Sequence, residues 1–303
     1  MKILVTGGAG FIGSHIVDAY IEAGHQVSII DNFATGRREN VNSQATLYEM
    51  NIKDPKVKTV FADEQFDIVN MQAAQMDVRL SVRDPLFDAE NNILGMINLL
   101  QNCVENNVKK VIFASSGGAI YGEQEQYPAP ETHPLQPYSP YGITKLTGEK
   151  YLFFYKLSYG LDYVAFRYAN VYGPRQNPHG EAGVVAIFAQ AMLNDQEVYI
   201  NGDGLQTRDF VYVDDVVNAN LLALESQHTD IYNVGTGKET TILTIYEILN
   251  ELTGYGKSAK HRSPQSGEQR RSVIAYDKIA QQMDWAPHTE LKTGLAETLK
   301  TMK

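Results

Sequence analysis

The sequence predicts an α/β fold, a doubly wound parallel sheet with a smaller α/β domain towards the carboxyl-terminal end. Three observations carry this prediction. Short apolar runs rich in β-branched residues alternate with longer segments of helical periodicity. The short runs are apolar throughout, which is typical of parallel strands covered by helices on both faces. A glycine-rich turn joins the first strand to the first helix.

In chain order, the predicted strands are KILVT, VSIID, FDIVNM, KKVIFA and DYVAFRY, and the first helix is FIGSHIVDAYIEAG. The alternation continues to about Tyr168, after which loops rich in glycine, proline and asparagine follow. The run IYNVGTG predicts one more strand that returns to the sheet. We therefore expect a nucleotide-binding domain over residues 1–170, rejoined by 210–235, and a substrate domain over residues 171–303.

Composition limits the partners of this chain of 303 residues. Its formal net charge is −10, so neither nucleic acid nor membrane is an expected partner, because both require a positive surface. The one cysteine, Cys103, excludes an intramolecular disulfide and favours a reducing, cytoplasmic location. Cys103 lies at helical spacing from Met96 and Leu100 and is predicted to be buried. We expect no bound metal.

The segment ILVTGGAGFIGSH predicts a site for a dinucleotide. It places Gly7, Gly10 and Gly13 between a strand and a helix, and Gly8 completes the spacing G-x-G-x-x-G. Such glycines permit a tight turn and a close backbone approach to a pyrophosphate at the start of a helix. We therefore expect a Rossmann-like nucleotide-binding domain.

Asp31 ends the second strand, where a carboxylate can accept both hydroxyls of a ribose. Its negative charge would repel a 2′-phosphate, so NAD is predicted rather than NADP. Arg37 and Arg38 in ATGRREN are opposing evidence, since an arginine near this position can receive that phosphate.

The segment SPYGITKLTGEKYL carries Tyr141 and Lys145 at a spacing that puts both on one face of a helix. Tyrosine ionises near pH ~10, so a base that works near neutrality needs its pKa lowered by about 3 units. A lysine cation together with the positive ring of NAD⁺ can supply that stabilisation. The pair therefore predicts a tyrosine base that is assisted by lysine.

Four motifs together, TGGAGFIG, YGITK, RYANVYGPRQ and GDGLQTRDFVYVDD, resemble the extended short-chain dehydrogenase/reductase family. The branch they resemble most is that of UDP-glucose (UDP-galactose) 4-epimerases. The resemblance implies that NAD⁺ removes hydride from C4 of a UDP-sugar while the tyrosine removes the hydroxyl proton. The 4-keto sugar then turns over and hydride returns to its other face. Two alternatives stay open, an NDP-sugar reductase or dehydrogenase and an inactive NAD-binding regulator.

The resemblance also implies which residues surround NAD. Asn51 occupies a place where the family usually has an acid, so its adenine contact departs from the pattern. The implied set is Gly7, Gly10, Phe11, Ile12, Asp31, Asn32, Thr35, Gly36, Asn51, Ile52, Gln72, Ala73, Gln75, Asn92, Ser115, Tyr141, Lys145 and Tyr168.

One departure concerns the hydroxyl that assists the tyrosine. The family has Ser or Thr four residues before a YG pair, but here that position is Gly117 in ASSGGAIYG. We expect Ser116 to take the role, with Ser115 or an ordered water as alternatives. Sugar dehydratases and UDP-glucuronate decarboxylases carry acids just before YG, whereas this chain has Gly118 and Ala119.

A second departure concerns the diphosphate. The family has an arginine in R-x-G-[DE], where this chain has Gln265. Arg270 or Arg271 is the candidate replacement, and the alternative is that this basic stretch is simply a solvated loop. Arg208 aligns with another diphosphate arginine, unless it merely pairs with Asp209. The implied substrate-binding set is Ser116, Tyr141, Asn170, Gly183, Val184, Tyr199, Asn201, Arg208, Arg271 and Ser272.

Two further expectations follow from the resemblance. Ser272 stands where the family borders the sugar C2 substituent, and a small residue there leaves room for an N-acetyl group, unless Arg271 fills the space. Family members commonly form homodimers through paired helices. The apolar residues expected to meet such a partner are Ile93, Ile97, Leu100, Leu152, Phe153 and Tyr155.

Overall fold

The computed structural model describes residues 1–178, 183–264 and 269–302. Its strands are β1 (Lys2–Thr6), β2 (Gln26–Asp31), β3 (Thr46–Glu49), β4 (Ile68–Met71), β5 (Lys110–Ser116), β6 (Asp162–Tyr168), β7 (Asn170–Tyr172), β8 (Tyr199–Asn201), β9 (Thr207–Arg208), β10 (Phe210–Tyr212), β11 (Asp230–Val234), β12 (Thr240–Thr241) and β13 (Lys260–Arg262). Its helices are α1 (Phe11–Glu22), α2 (Val57–Glu64), α3 (Val78–Arg83), α4 (Pro85–Ala89), α5 (Gly95–Glu105), α6 (Pro140–Tyr159), α7 (Val184–Leu193), α8 (Val213–Glu225), α9 (Ile242–Thr253), α10 (Asp277–Met283) and α11 (Leu291–Thr301). A π-helical segment, Glu90–Leu94, joins α4 to α5.

The central sheet has the strand order β11-β6-β5-β4-β1-β2-β3, and every pairing in it is parallel. The predicted doubly wound parallel sheet is therefore confirmed. The order reverses between β1 and β4, and in such sheets ligands bind outside the carboxyl ends of the strands at that reversal. The edge strand β3 escaped the sequence prediction because its residues TLYE are only partly buried and form no apolar run.

Each face of the sheet has its own apolar core. On one face, Ile16, Val17 and Tyr20 of α1 pack with Val216 and other residues of α8. On the other, α2, α5 and α6 supply the residues Phe61, Leu99, Leu100, Cys103, Leu152 and Tyr155. The predicted burial of Cys103 is confirmed, since the residue is 0% exposed. Burial of the thiol raises its pKa and makes it a poor nucleophile.

The surface expected to meet a partner needs a correction. Leu100, Leu152 and Tyr155 are 0%, 1% and 6% exposed and belong to the core against the sheet. The prediction that they face a partner was wrong because helical spacing alone does not say which apolar stripe covers the sheet. Phe153, by contrast, is 61% exposed.

The smaller part of the molecule has a separate core between α7, α9 and α11. Three short strand pairs flank it, namely β7 with β10, β8 with β13 and β9 with β12. Residues 210–235 include α8, which packs on the central sheet, and β11, which is its edge strand beside β6. Ile279 and Trp285 join the same core. Among the described residues, no helix is both long and apolar enough to cross a membrane.

Helix α6 begins and ends at well-defined signals, which matters because it carries the tyrosine and the lysine. Its N-cap Ser139 accepts a hydrogen bond from the backbone N–H of Gly142 at 3.1 Å, and Pro140 occupies the first turn. Gly160 ends the helix in the left-handed conformation at φ 73°. These signals fix the position of Tyr141 in the first helical turn.

Candidate active site

The turn between β1 and α1 is built from glycines that leave no room for side chains. Gly7 has φ +72°, and a Cβ there would lie 2.8 Å from the backbone nitrogen of Ala73. A Cβ on Gly13 would lie 2.2 Å from the carbonyl oxygen of Gly7. Gly10 caps α1 without a side chain, and the first helical turn carries no acidic residue. The helix therefore presents N–H groups to a bare turn, the arrangement that accommodates a phosphate.

Asp31 lies beside this turn at the end of β2 and is 7% exposed. The backbone N–H groups of Ala9 and Phe33 donate to its carboxylate at 2.9 and 2.8 Å. A Cβ on Gly36 would lie 2.9 Å from Asp31 Oδ1, so glycine there keeps the carboxylate uncovered. This is the position from which a carboxylate can accept ribose hydroxyls.

The two arginines that argued for a 2′-phosphate are engaged by acidic neighbours. Arg38 donates to both carboxylate oxygens of Glu49 at 2.7 Å, and its guanidinium lies 4.4 Å from the centroid of the Phe33 ring. Arg37 lies 3.7 Å from Glu39. Since both cations have anionic partners, the local charge favours a ribose with free hydroxyls.

The loop after β4 runs alongside the glycine turn and is held by polar contacts. The N–H of Ala73 donates to Thr6 Oγ1 at 3.3 Å. The N–H of Gln75 donates to Asn92 Oδ1 at 2.8 Å, and Asn92 Nδ2 donates back to the Gln75 carbonyl at 2.9 Å. Gln72 Nε2 donates to the Tyr168 hydroxyl at 3.3 Å. These bonds fix the loop at the carboxyl ends of the strands.

Residues predicted from four separate segments surround one small cavity of about 10 Å³. Ile52, Ala73, Asn92 and Lys145 all line it. The remaining predicted cofactor residues differ in exposure. Phe11 and Ile12 are half-buried in the first turn of α1, Asn32 and Thr35 are exposed after β2, and Asn51 is half-buried with its Oδ1 accepting from the Lys53 N–H at 2.9 Å.

The predicted catalytic residues come together at the carboxyl end of β5. The Ser116 side chain interacts with the phenol of Tyr141 and lowers its pKa. Lys145 is 4% exposed, and its Nζ donates to the Ala114 carbonyl at 2.8 Å. The same Nζ lies 5.8 Å from the centroid of the Tyr141 ring. The lysine thus lies beneath the tyrosine and is anchored on the strand that carries Ser116.

Burial controls the ionisation of both groups in this chain. Burial raises the pKa of Tyr141 to about 12, opposed by the Ser116 hydrogen bond. It lowers the pKa of Lys145 to about 8, opposed by the negative charge of Asp88. A tyrosine base in this site therefore needs an additional positive charge nearby.

Ser115 points to the opposite side of the strand from Ser116, as neighbouring residues of a strand do. Its hydroxyl donates to Glu149 Oε1 at 2.6 Å. Glu149 in turn pairs with Arg167, whose Nη2 lies 2.8 Å from Oε2, and both residues are almost fully buried. The Ser115 side chain thus belongs to a buried ion-pair network that attaches α6 to β5 and β6. Sequence spacing gave no sign of this network.

Gly117 has a steric reason to lack a side chain. A Cβ there would lie 2.7 Å from Cδ1 of Ile274 and 3.2 Å from the carbonyl oxygens of Arg167 and Tyr168. A Cβ on Gly118 would meet only Asn170 Oδ1, at 3.8 Å. The position where a family hydroxyl was expected is therefore packed against Ile274.

The predicted substrate residues lie in the smaller part of the molecule and its connections. Gly183 caps α7 and Val184 is the first residue of that helix. Arg208 Nη1 donates to the carbonyls of Thr207 and Gln269 at 2.7 and 2.9 Å. Gln265 lies outside the described residues. Asp209 is 2% exposed and accepts from Thr236, Gly237 and Ile274.

A cleft of about 610 Å³ lies next to these residues. Asn201, Gln206, His261, Arg262 and Arg270 are among the residues that line it. Arg270 is paired with Asp203, with Nη1 2.7 Å from Oδ1. The Arg262 guanidinium lies 3.5 Å from the centroid of the Tyr199 ring.

Arg271 and Ser272 occupy different environments although they are neighbours. Arg271 donates to both oxygens of Glu239 at 2.8 and 2.6 Å, and its guanidinium lies 3.7 Å from the centroid of the Tyr127 ring. Ser272 is 4% exposed. Arg271 is therefore directed towards Glu239 and Tyr127.

The family model for NAD dependent epimerases and dehydratases matches residues 3–235. The chain belongs to this NAD dependent epimerase/dehydratase family. Its fold closely matches a crystal structure of UDP-glucose 4-epimerase from Thermotoga maritima with UDP-glucose, at TM-score 0.98 and 48% identity over 99% of this chain and 98% of that one.

Two more solved structures are similar to this chain over its full length. The UDP-glucose 4-epimerase of Thermus thermophilus, in complex with NAD, is 44% identical at TM-score 0.94, covering 100% of this chain and 99% of that one. The UDP-N-acetylglucosamine 4-epimerase of Methanobrevibacter ruminantium is 38% identical at TM-score 0.94, covering 99% and 97%. The resemblance inferred from the sequence motifs is confirmed.

Proposed function

We propose that this family member is an NAD-dependent nucleotide-sugar 4-epimerase that interconverts UDP-glucose and UDP-galactose. One observation carries the proposal: Lys145, anchored on the Ala114 carbonyl of β5, lies 5.8 Å from the centroid of the Tyr141 ring, at the same end of the sheet as the glycine turn. The full-length similarity to UDP-glucose 4-epimerases supports the same conclusion. The glycine turn fits a dinucleotide because a Cβ at Gly7 or Gly13 would collide with the backbone of Ala73 or Gly7 and open the tight turn that lets a pyrophosphate approach the backbone.

The residues divide the work at the sugar C4 hydroxyl. Tyr141 accepts the hydroxyl proton, Ser116 orients the same oxygen, and Lys145 supplies positive charge beneath the phenol. NAD⁺, when bound, supplies the hydride acceptor and a second positive charge that lowers the pKa of the phenol. Asp31 and the N–H groups of α1 would hold that cofactor. Because hydride returns to the sugar, no net reduction of the cofactor accompanies turnover.

The alternatives predict different products. A dehydratase needs an acid for proton transfer at C5, and Gly118 and Ala119 offer none. A reductase or dehydrogenase of NDP-sugars would change the absorbance of NADH in step with turnover. An inactive regulator would bind NAD and convert no sugar, against the assembled Tyr141–Lys145 pair.

The nucleotide-binding residues form the second half of the proposal. UDP is a dianion, and this acidic chain must meet it with local cations. Arg208 is the proposed diphosphate ligand, held by the Thr207 and Gln269 carbonyls near the cleft. Tyr199, Asn201, Asn170 and the α7 start at Gly183 and Val184 complete the proposed set. Arg271 can contact the diphosphate only after its hydrogen bonds to Glu239 break, so it is the least preorganised residue of the proposed set.

The experiment uses purified chain, NAD and three sugars in parallel. UDP-glucose, UDP-N-acetylglucosamine and UDP-glucuronate are incubated separately, and the products are separated and identified. UDP-galactose formed from UDP-glucose, without net NADH, supports the proposal. Tight NAD binding with no conversion of any sugar would reject it.

We also propose that the substrate range includes UDP-N-acetylglucosamine. Ser272, 4% exposed, keeps a small side chain at the position expected to border C2. The relative from Methanobrevibacter ruminantium is itself a UDP-N-acetylglucosamine 4-epimerase. Formation of UDP-N-acetylgalactosamine in the assay above is the expected result.

We propose that the enzyme is a homodimer formed through α6 and the helix of α4, the π-helical segment and α5. These helices carry exposed apolar side chains on the surface away from the sheet, Leu86, Phe87, Leu94, Phe153, Phe154 and Leu157. Exposed apolar side chains gathered on neighbouring helices are typical of an interface. Light scattering at micromolar concentration should give the dimer mass, and Leu157→Glu should give the monomer. Leu205→Glu, at a similarly exposed leucine outside these helices, should remain dimeric.

We infer that the enzyme works in the cytoplasm. The buried Cys103 is the chain's one cysteine, which favours a reducing compartment. Detection of the tagged protein in the cytoplasmic fraction of cells is the expected result.

A further inference from the structure

A buried carboxylate lies behind the catalytic turn and takes no part in the steps above. Asp88, on α4, is 0% exposed. Moving a carboxylate out of water costs several kcal/mol unless hydrogen bonds and charges compensate for the loss. The contacts of Asp88 therefore indicate what its burial accomplishes.

Three side chains from three segments donate to this carboxylate. Thr144 Oγ1, on α6, donates to Oδ2 at 2.9 Å. Gln75 Nε2, from the loop after β4, donates to Oδ1 at 2.8 Å, and Asn92 Nδ2, from the π-helical segment, donates at 3.0 Å. Thr144 is next to Lys145 in the chain, and Gln75 and Asn92 are residues of the proposed cofactor site. Asp88 thus connects the cofactor side to the catalytic helix.

The charge of Asp88 acts on both catalytic groups. Burial is the larger influence, raising the pKa of Tyr141 and lowering that of Lys145, and the carboxylate raises the pKa of each. Tyr141 and Lys145 lie on α6, the helix whose Thr144 contacts Asp88. The other polar groups of this region, Ser116 of β5 and the amides of Gln75 and Asn92, carry no charge.

Other acidic groups near Asp88 are committed elsewhere. Asp77 accepts from the N–H of Leu80 at the start of α3. Asp84 accepts from the N–H of Phe87 at the start of α4. Glu90 of the π-helical segment lies 3.6 Å from Lys53. Asp88 is the acid whose charge raises the pKa of both Tyr141 and Lys145.

We propose that Asp88 is a positioning residue of this enzyme: its buried carboxylate holds the catalytic turn of α6 through Thr144 and keeps a negative charge beside the turn that carries Tyr141 and Lys145. The inference rests on the proposed function, since it assigns Tyr141 the role of base. It adds a separate element, because the motifs that predicted the site do not include residue 88.

The variant Asp88→Asn separates the charge from the hydrogen bonds. An asparagine oxygen can still accept from Gln75 and Asn92, and its amide can donate to Thr144 Oγ1. The threonine proton then serves the Tyr141 carbonyl, which it already reaches at 2.9 Å. The substitution therefore keeps the geometry and removes the negative charge. Asp84→Asn is the matched control, since it removes an exposed acid from the same helix start and keeps a good N-cap.

The prediction is a change in pH dependence. Without the negative charge, the pKa of Tyr141 falls, so the ascending limb of kcat for UDP-glucose moves to lower pH. A weaker base lowers the plateau of kcat by less than about tenfold, with KM unchanged. Asp84→Asn keeps the wild-type profile. Phenolate absorbance of the NAD-loaded protein, taken as the difference from Tyr141→Phe, shows the same shift without any sugar.

Each outcome bears on the inference. A midpoint that stays at the wild-type value in Asp88→Asn, by turnover and by phenolate absorbance, overturns it. An Asp88→Asn chain that does not fold also overturns it, because the proposal states that only charge is removed. Thr144→Val keeps the charge and breaks the link, so its kcat should fall without a shift of the midpoint to lower pH. Absence of turnover by wild type with every sugar would reject the proposed function instead.

Discussion

The two sides of the cleft hold their ligand-binding elements by different means. On the proposed cofactor side, backbone contacts hold the elements in place. Gly7 and Gly13 have no space for a Cβ, and backbone N–H groups fix Asp31. On the proposed sugar side, contacts between side chains hold the elements in place. Arg271 pairs with Glu239 and stacks on Tyr127, which are both far from it in the chain. Backbone requirements leave a local mark on the sequence, whereas side-chain partners from distant loops do not. The difference predicts that cofactor binding tolerates few substitutions and that sugar specificity can be changed by single ones.

The largest effect is expected at the residue where both sides meet. Tyr141→Phe removes the proton acceptor and keeps the ring, so epimerisation of UDP-glucose should fall by roughly 10³-fold or more. NAD binding, measured by the cofactor retained after purification, should remain near wild type. Turnover close to wild type would contradict the mechanism.

One added methyl group in the glycine turn should be enough to weaken NAD binding. In Gly13→Ala, the added Cβ would lie 2.2 Å from the Gly7 carbonyl oxygen, so the turn must open and retained NAD should fall at least ~10-fold. Gly24→Ala is the control, since no atom lies within 4 Å of its Cβ position. Its positive φ costs about 1 kcal/mol of stability, and NAD binding should not change. Equal retention of NAD by both variants would break the comparison.

The two neighbouring serines give a matched pair. Ser116→Ala removes the hydroxyl bonded to Tyr141 and should lower kcat by about 10- to 1000-fold with little loss of stability. Ser115→Ala removes a buried donor from Glu149 and should lower the free energy of unfolding by about 1–3 kcal/mol, with a smaller change in kcat. Turnover assays and urea denaturation measure the two quantities. The reverse pattern would assign the assisting hydroxyl to Ser115.

This contrast also shows how far the sequence could predict the molecule. The sheet, the glycine turn, Asp31 and the Tyr141–Lys145 pair followed from local patterns because each depends on residues close in the chain. The preference for Ser116 over Ser115 depends on which hydroxyl already has a buried partner, and Ser115 donates to Glu149, which pairs with the distant Arg167. Gly117 is packed against Ile274, a contact between residues far apart in the chain that no spacing could reveal. No local motif could have predicted the contacts of Asp88, because its partners come from three separate segments of the chain.

The sugar side should change specificity at one residue. Ser272→Tyr fills the space proposed for an N-acetyl group, so turnover of UDP-N-acetylglucosamine should fall by roughly 100-fold. Turnover of UDP-glucose should remain within a few-fold of wild type, measured under the same conditions. Ser272→Thr is the control and should keep both activities. Unchanged N-acetylhexosamine turnover in Ser272→Tyr would place the limit at another residue, with Arg271 the first to test.

The smallest effect is expected where the cofactor side is open to solvent. Glu49→Gln weakens the hold on Arg38, whose side chain is 66% exposed, and leaves that cation nearer to where a 2′-phosphate would lie. An ion pair this exposed holds its partners only weakly, so the ratio of NADP to NAD affinity should rise less than ~5-fold. Asp31 would still repel the phosphate, because its carboxylate is held by two backbone N–H groups that the substitution does not touch. Competition between the two cofactors for the unloaded chain measures the ratio. A Glu49→Gln enzyme that prefers NADP would show that side-chain pairing, and not the backbone-held carboxylate, selects the cofactor.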